Sequence, residues 1–465
     1  MACSQVRAMM ETVSDILAAH IASATWDSLP EPARDGARRV LLDATGVIFA
    51  ASGLSPEAAP FITLARANGP GPCAILGTTQ RVQPLGAALA NGALAHAVDY
   101  EDAFDLAPAH PNASLVPVLL ALAQSQGPVD GQRFLTALAV GGDLACRIAL
   151  SLRQPMEQGG WYPPPIVAAF GAVAGAANLL GLSPEQVKDA LSLVLCQVTM
   201  PGEIKYSQRT VLRAVREAFP AQAALTAALL ARDGVAGFET PLEGKAGFFA
   251  LYAGGQFDPA DLTDGLGRHY WGAELTFKPW PSCRGTHPFI EMALDLQAAH
   301  GFAAADVARI AVHVDDVQAM LVEPLARKQA PAVVIDAKFS IPFTTALALV
   351  RGGVKLDDFG PQSLGDTQIL ALAAKIAPVA DAAPAWARGV GGAMAIDLAD
   401  GRSLRAQVDN ALGCPARPLS DAAQRAKFID CLSRAARPVA QREAEVLAQA
   451  ILTLDQSADV GALFG

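Results

Sequence analysis

Four stretches of this sequence gather side chains that can move protons or hold carboxylates. The first, AHAVDYEDAFDLAPAHP at 95–111, carries His96, Asp99, Glu101, Asp102, Asp105 and His110. A helix end running into a Pro-containing loop aims such groups into a cleft. Carboxylate and imidazole together supply a general base and acid near neutral pH. The same residues also suit a helix C-terminus with solvated acids and a capping histidine. A metal-dependent hydrolase built on His96, Asp99, Asp102 and His110 is the lesser expectation.

The second stretch, EIKYSQRTVLRAVREAF at 203–219, spaces Lys205, Arg209, Arg213 and Arg216 at four, four and three residues. On a helix this spacing puts all four on one face. Such a stripe can grip a di- or tricarboxylate, with Arg binding bidentately. For Arg213 and Arg216 a solvated face is expected instead, and Pro220 implies a helix break or restart. The third, FKPWPSCRGTHPF at 277–289, displays Lys278, Cys283, Arg284 and His287 on a Pro-braced loop, with His287 and Pro288 opening a helix. Lys278 suits a carboxylate or acid catalysis. Cys283 lacks any surrounding nucleophile signature, and a small buried residue is the commoner role. The fourth, GGWYPPP, sets Tyr162 at a helix start, for hydrogen bonding, proton relay or simple aromatic packing.

The elements that must position these groups are mostly helices. Apolar periodicity predicts helices over 7–20, 31–53, 83–98, 113–126, 131–152, 167–182, 183–197 and 218–234, with Ser183, Pro184 and Gln186 as a start signal. After about residue 268 the pattern changes. RIAVHVDD (309–316) alternates as a strand, and 393–409 reads as a hairpin turning at Asp400-Gly401. Residues 287–300 and 337–351 read as helices, and the tail, 418–452, returns to helix behind a Ser420 cap. The expected architecture is mainly α: a discontinuous all-helical domain (1–268 and 415–465) interrupted by a smaller α+β domain (269–414). The abundance of Ala and Gly suits close helix packing.

Composition narrows the function. A formal net charge of −10 disfavours nucleic acid and anionic membranes as partners. It leaves room for a small anion held by a local cationic cluster. No stretch reads as a membrane span, and Glu11 and Asp15 interrupt any signal-peptide core. The seven cysteines are odd in number and scattered, so neither a disulfide framework nor a cysteine-held metal is expected. A reducing, cytoplasmic setting follows as the default. Nucleotide-loop, zinc-protease and serine-hydrolase motifs are not found.

Taken in order, the segments resemble the MmgE/PrpD family. NGALAHAVDYEDAF…HPNASLVPVLLALA resembles its N-G-x-x-A-H-x-x-D-[FY]-D-D…H-P-S segment, and GGWYPPPIVAAFGAVAGAANLLGLS its G-W-H-P-T segment. AALLARDGVAGFETPLEGKAGFFALYA, FKPWPSCRGTHPFI and AKFSIPFTTALAL match later motifs, so the likeness runs from about residue 5 to 460. The resemblance implies a cofactor-independent, metal-free enzyme acting on a small polycarboxylate, usually a homodimer, with the site between a helical domain and an α+β lid. It implicates Asp99, His110, Lys205 and Lys278. Three departures stand out: Tyr162 replaces the family histidine, Ala103 a hydroxyl residue, and Glu101 an aspartate. A phenol with an ordinary pKa of about 10 donates protons readily but is a poor base.

From these readings the expected chemistry is proton abstraction beside a carboxylate. His110 is the base or acid, Asp99 orients it, Tyr162 donates a proton, and Lys205 and Lys278 hold developing charge. His96, Asp102, Arg209, Cys283 and His287 complete the expected substrate contacts. A dehydratase-type lyase leads, with an epimerase, a cis-aconitate-type decarboxylase or a non-catalytic polyacid binder as alternatives.

Overall fold

The structure is a computed structural model describing residues 11–207, 209–316, 318–379 and 390–464. The start of the first expected helix and the signal-peptide reading fall partly outside these residues. From Thr12 onward the chain is helical over Val13–Ser23, with Thr12 and Asp15 forming a reciprocal cap.

The architecture is mainly α. Helices Glu31–Leu54, Pro84–Ala97, Asn112–Ser125, Gly131–Ser151, Pro163–Leu180 and Ala218–Arg232 pack into one array. Small residues set its spacing. Gly141 and Gly171 face each other where two helices cross, and a Cβ on either would sit 2.6 Å from the other's carbonyl oxygen. Gly131–Ser151 and Pro163–Leu180 are long and apolar enough to cross a membrane, contrary to the sequence expectation. Both are buried in this array, so their apolar surface is met by protein. Pro163, Pro164 and Pro165 start the second of these four residues earlier than expected, because first-turn N–H groups need no intrahelical acceptor. Ser183 and Gln186 cap the next helix reciprocally, as its sequence predicts.

A two-residue ribbon, β1 (Cys73–Ala74) with β2 (Arg81–Val82), interrupts the expected all-helical stretch. The later part carries a four-stranded sheet of β3 (Val307–His313), β4 (Ile376–Pro378), β5 (Gly392–Leu398) and β6 (Ser403–Val408), in the order β4-β3-β5-β6. β3 runs parallel to β4 (Ile310 beside Ile376) and antiparallel to β5 (Ile310 beside Ile396). The β5–β6 hairpin turns at Asp400-Gly401, where Gly401 takes φ 93°. β3 ends before the expected residue 316 because Asp315 caps the turn at Gln318. Helix His287–His300 covers this sheet. The expected 337–351 helix is split at Phe339, since Ser340 caps a new helix, Ile341–Arg351.

The chain then returns to the helical array. Helix Asp421–Ser433, capped by Ser420, lies against Glu31–Leu54. Lys427 fixes the contact: its Nζ is 2.6 Å from Asp43 Oδ1. It also donates to the carbonyls of Tyr100 (2.7 Å) and Lys278 (3.1 Å), tying the two loops that carry the expected site residues.

Candidate active site

Helix Pro84–Ala97 delivers the first group. Gly92 lets it press against the start of Ala218–Arg232, where a Cβ would sit 2.7 Å from the Glu217 carbonyl. This close approach sets His96 beside the segment bearing Arg216. The helix ends and Asp99 turns the chain with φ 53°, a left-handed conformation that Asp tolerates better than most residues. The turn sends successive acids different ways. Asp99 Oδ1 accepts from Lys278 Nζ at 2.5 Å, and the Asp99 carbonyl accepts at 3.1 Å. Glu101 Oε1 instead meets both histidines: a short contact with His96 Nδ1, and 3.1 Å to His110 Nδ1. The expectation that Asp99 orients His110 is therefore corrected. Lys278 occupies Asp99, and Glu101 faces the imidazole.

His110 has a defined tautomer. Its Nδ1 is 2.9 Å from the Asp102 carbonyl, which can only accept, so Nδ1 carries hydrogen. In the neutral ring Nε2 then holds the lone pair. The ring is partly exposed, unlike the fully buried His96. Asp102 is buried: Asn112 donates to its Oδ2 at 3.0 Å, while Oδ1 has no hydrogen-bond partner among the described residues.

Charge sorts these groups. Burial pushes Glu101 up, but the charges of His96, Lys278 and His110 outweigh it and hold Glu101 well below the usual carboxylate range. Burial raises Asp99 too, and Lys278 and His96 reverse the shift. Burial lowers Lys278, yet Asp99 and Glu101 carry it above the ordinary lysine range. His96 is pushed down, by burial first and the Arg216 charge second, with Glu101 opposing both. Burial lifts Asp102 to about 7.

His96, Asp99 and Glu101 bring ligand-type atoms within 4.8 Å of one another. The Lys278 ammonium already stands there, 2.5 Å from Asp99 and 3.9 Å from Glu101. A divalent ion has to displace it, so the donor set fits a lysine better than a metal.

The cationic stretch differs from its expectation. Lys205 closes a short 3-10 turn, Gly202–Lys205, and Arg213 lies in a separate turn, Leu212–Val215. Between them Ser207 Oγ accepts from the backbone N–H groups of Arg209 (3.4 Å) and Thr210 (3.3 Å), a local bond that competes with helix. One shared helix face is thus not formed, and Arg209 is exposed. Arg213 and Arg216 are not a solvated face either, being 6% and 1% exposed. Lys205 Nζ, Arg213 and Arg216 stand 5.6, 5.8 and 5.1 Å from the Tyr162 ring centre. Arg216 donates to Tyr162 Oη at 2.7 Å and to Glu217 Oε1 at 3.0 Å.

On the 277–289 loop only Lys278 joins the acidic cluster. His287 Nε2 is 3.1 Å from the Ser282 carbonyl, and Arg284 Nη1 is 3.4 Å from its Nδ1. Burial and the Arg284 charge drive it well below the ordinary histidine range, which favours the neutral ring. Arg284 is consumed by Asp105 and by the carbonyls of Ala411 and Leu412. Cys283 is partly exposed, but burial pushes its thiol up. It is one of six free cysteines among the described residues.

Sequence reading missed Glu217, Lys427 and the contact made by Lys338. Lys338 donates to the carbonyls of Val98 (2.8 Å) and Pro281 (3.0 Å) and lies 4.1 Å from the Phe359 ring. Burial lowers it to about 7. Its place in AKFSIPF was the only signal.

The MmgE/PrpD N-terminal domain matches residues 15–260, and the MmgE/PrpD C-terminal domain matches 280–453. The cis-aconitate decarboxylase-like protein oryM of Aspergillus oryzae is 28% identical over 364 residues, covering 74% of each chain. The cis-aconitate decarboxylase of Mus musculus is 26% identical over 75% of this chain and 72% of its own, and that of Homo sapiens 26% over 64% and 61%. With both domain models matched across most of its length, this chain belongs to the MmgE/PrpD family.

Proposed function

We propose that this protein is a lyase acting on a small di- or tricarboxylate by proton transfer next to a carboxylate, without metal or organic cofactor. The observation that carries the reading is the His110 imidazole: Nδ1 is engaged by the Asp102 carbonyl beside Glu101, leaving Nε2 as a base in a partly exposed ring. Glu101 stabilises the imidazolium once a proton arrives. Lys278 and Lys205 supply positive charge for the enolate-like state. Tyr162 Oη accepts from Arg216, so its own hydrogen is available to a substrate atom.

In a dehydration, His110 removes the proton beside the carboxylate and hydroxide leaves with the Tyr162 proton as water. In a decarboxylation, the pair left by departing CO₂ is protonated at carbon by Tyr162 or by protonated His110. Decarboxylation of the cis-aconitate type gains support from the curated relatives, which carry that name at 25–28% identity. An epimerase is a further reading, with Tyr162 and a lysine serving opposite faces. The segment 269–414 acts in this proposal as a lid over the helical domain formed by 1–268 and 415–465, and the working form is a homodimer.

The test is proton NMR in D₂O with cis-aconitate, citrate, 2-methylcitrate and iminodisuccinate. Deuterium entering beside a carboxylate, and lost in His110→Ala, supports proton-transfer catalysis, and the product names the reaction. Binding of an acid without exchange or turnover supports a polyacid-binding protein instead.

A further inference from the structure

Among the described residues, nothing accepts from some donors of the two arginines around Tyr162. Arg216 is fully buried, with Nε committed to Glu217 and Nη1 to Tyr162, while Nη2 has no hydrogen-bond partner among the described residues. Arg213 is also buried; its guanidinium lies 3.5 Å from the Phe339 ring, and among the described residues Nη2 meets the Met320 sulfur at 3.9 Å and Nε has no hydrogen-bond partner. Buried charged donors without acceptors are rare in folded proteins, because the group has lost water and gained nothing. Glu217 balances one edge of Arg216 alone, and its second oxygen is taken by Ser114 Oγ at 2.7 Å. A planar anion with two oxygens matches this set.

We infer that Arg216 Nη2, with Arg213, binds a second carboxylate of the substrate, one remote from the carbon that His110 deprotonates, while the Tyr162 hydroxyl stays with the reacting atoms. Glu217 is the positioning residue: anchored by Ser114, it fixes the guanidinium plane so that Nη2 faces the ligand. The inference rests on the proposed polycarboxylate chemistry and sharpens it. A ligand must carry at least two carboxylates, one read by Lys278 beside the His110 base and one by Arg216.

The experiment compares His110→Ala with His110→Ala/Arg216→Gln by titration calorimetry, using cis-aconitate and the monoacid crotonate. Losing a buried charge-assisted contact should weaken cis-aconitate by ~10-fold or more and leave crotonate unchanged. Equal cis-aconitate affinity in the two proteins overturns the inference. Because the Arg216 variant can misfold, a crystal structure of His110→Ala with cis-aconitate gives a second reading. A carboxylate oxygen within hydrogen-bond distance of Nη2 supports the site; water at Nη2 with the acid bound elsewhere, or no bound acid, removes it. Proton exchange by the unmodified protein separates the two readings. Exchange without a role for Arg216 sinks only the carboxylate site, whereas binding at Nη2 without exchange sinks only the lyase.

Discussion

Glu101 Oε1 lies 3.1 Å from His110 Nδ1 while also contacting His96 Nδ1, so one carboxylate oxygen serves two imidazoles. This is a strong electrostatic anchor in a buried setting, because both rings present N–H to an ionised acid. It predicts that Glu101→Gln, which keeps the shape and removes the charge, lowers kcat by ~10²-fold or more, within the range for general acid–base groups. KM should change little. Steady-state kinetics across pH is the check. An unchanged kcat would show that the Asp102 carbonyl alone suffices to set the His110 tautomer.

The Asp99–Lys278 pair makes a stability prediction. Both side chains are at most 1% exposed and meet at 2.5 Å. Breaking a buried pair leaves one uncompensated charge, at a cost of ~3–5 kcal/mol. Lys278→Met should therefore destabilise strongly. The double variant Asp99→Asn/Lys278→Met should recover much of the loss, yet stay inactive if Lys278 holds substrate charge. Denaturant melts of both proteins decide this, and a double variant no more stable than the single one counts against a direct pairing energy.

How far the site was legible follows from the same residues. Periodicity and caps located the helices because those signals are local: Ser183 with Gln186 is visible within four residues. The acidic loop and Lys278 were visible as residue types. Which acid faces which cation was not, since that depends on the φ of Asp99, a single dihedral that spacing does not encode. The cationic stripe was misread because Ser207 diverts the backbone out of helix before Arg213. Arg216 looked like a surface residue because burial of a charge depends on Glu217 and Tyr162, and Tyr162 is distant in sequence. Lys338 bridges carbonyls at Val98 and Pro281, separations that no local pattern reports.

Two buried groups give opposite pH slopes. Asp102 titrates at about 7 in the fold against an ordinary 3.8. The folded chain then holds the proton more tightly, so its stabilising contribution is full below about pH 3.8 and is lost as pH rises through about 7. Lys338 titrates at about 7 against an ordinary 10.5. There the unfolded chain holds the proton more tightly, so stability grows as pH rises from about 7 to 10.5. Asp102→Asn should flatten the fall on the acid side, and Lys338→Met should flatten the rise on the alkaline side. Guanidinium denaturation from pH 4 to 10 measures both. A slope that survives its own substitution assigns that titration to another group.

Cys283 offers the sharpest contrast with a covalent mechanism. Its backbone N–H donates to the Lys338 carbonyl at 3.0 Å, which fixes the loop, while burial and then the Asp99 charge push its thiol upward. A thiol shifted that way is held as S–H and is a weak nucleophile at neutral pH. Cys283→Ser should keep proton exchange within about twofold, since a serine preserves the size and the backbone contact while removing thiolate chemistry. Iodoacetamide should modify the native protein slowly at pH 7. Mass spectrometry during turnover supplies the decisive reading: a substrate adduct on Cys283, or loss of exchange in the serine variant, would move the reaction from proton transfer by His110 to covalent catalysis by the thiol.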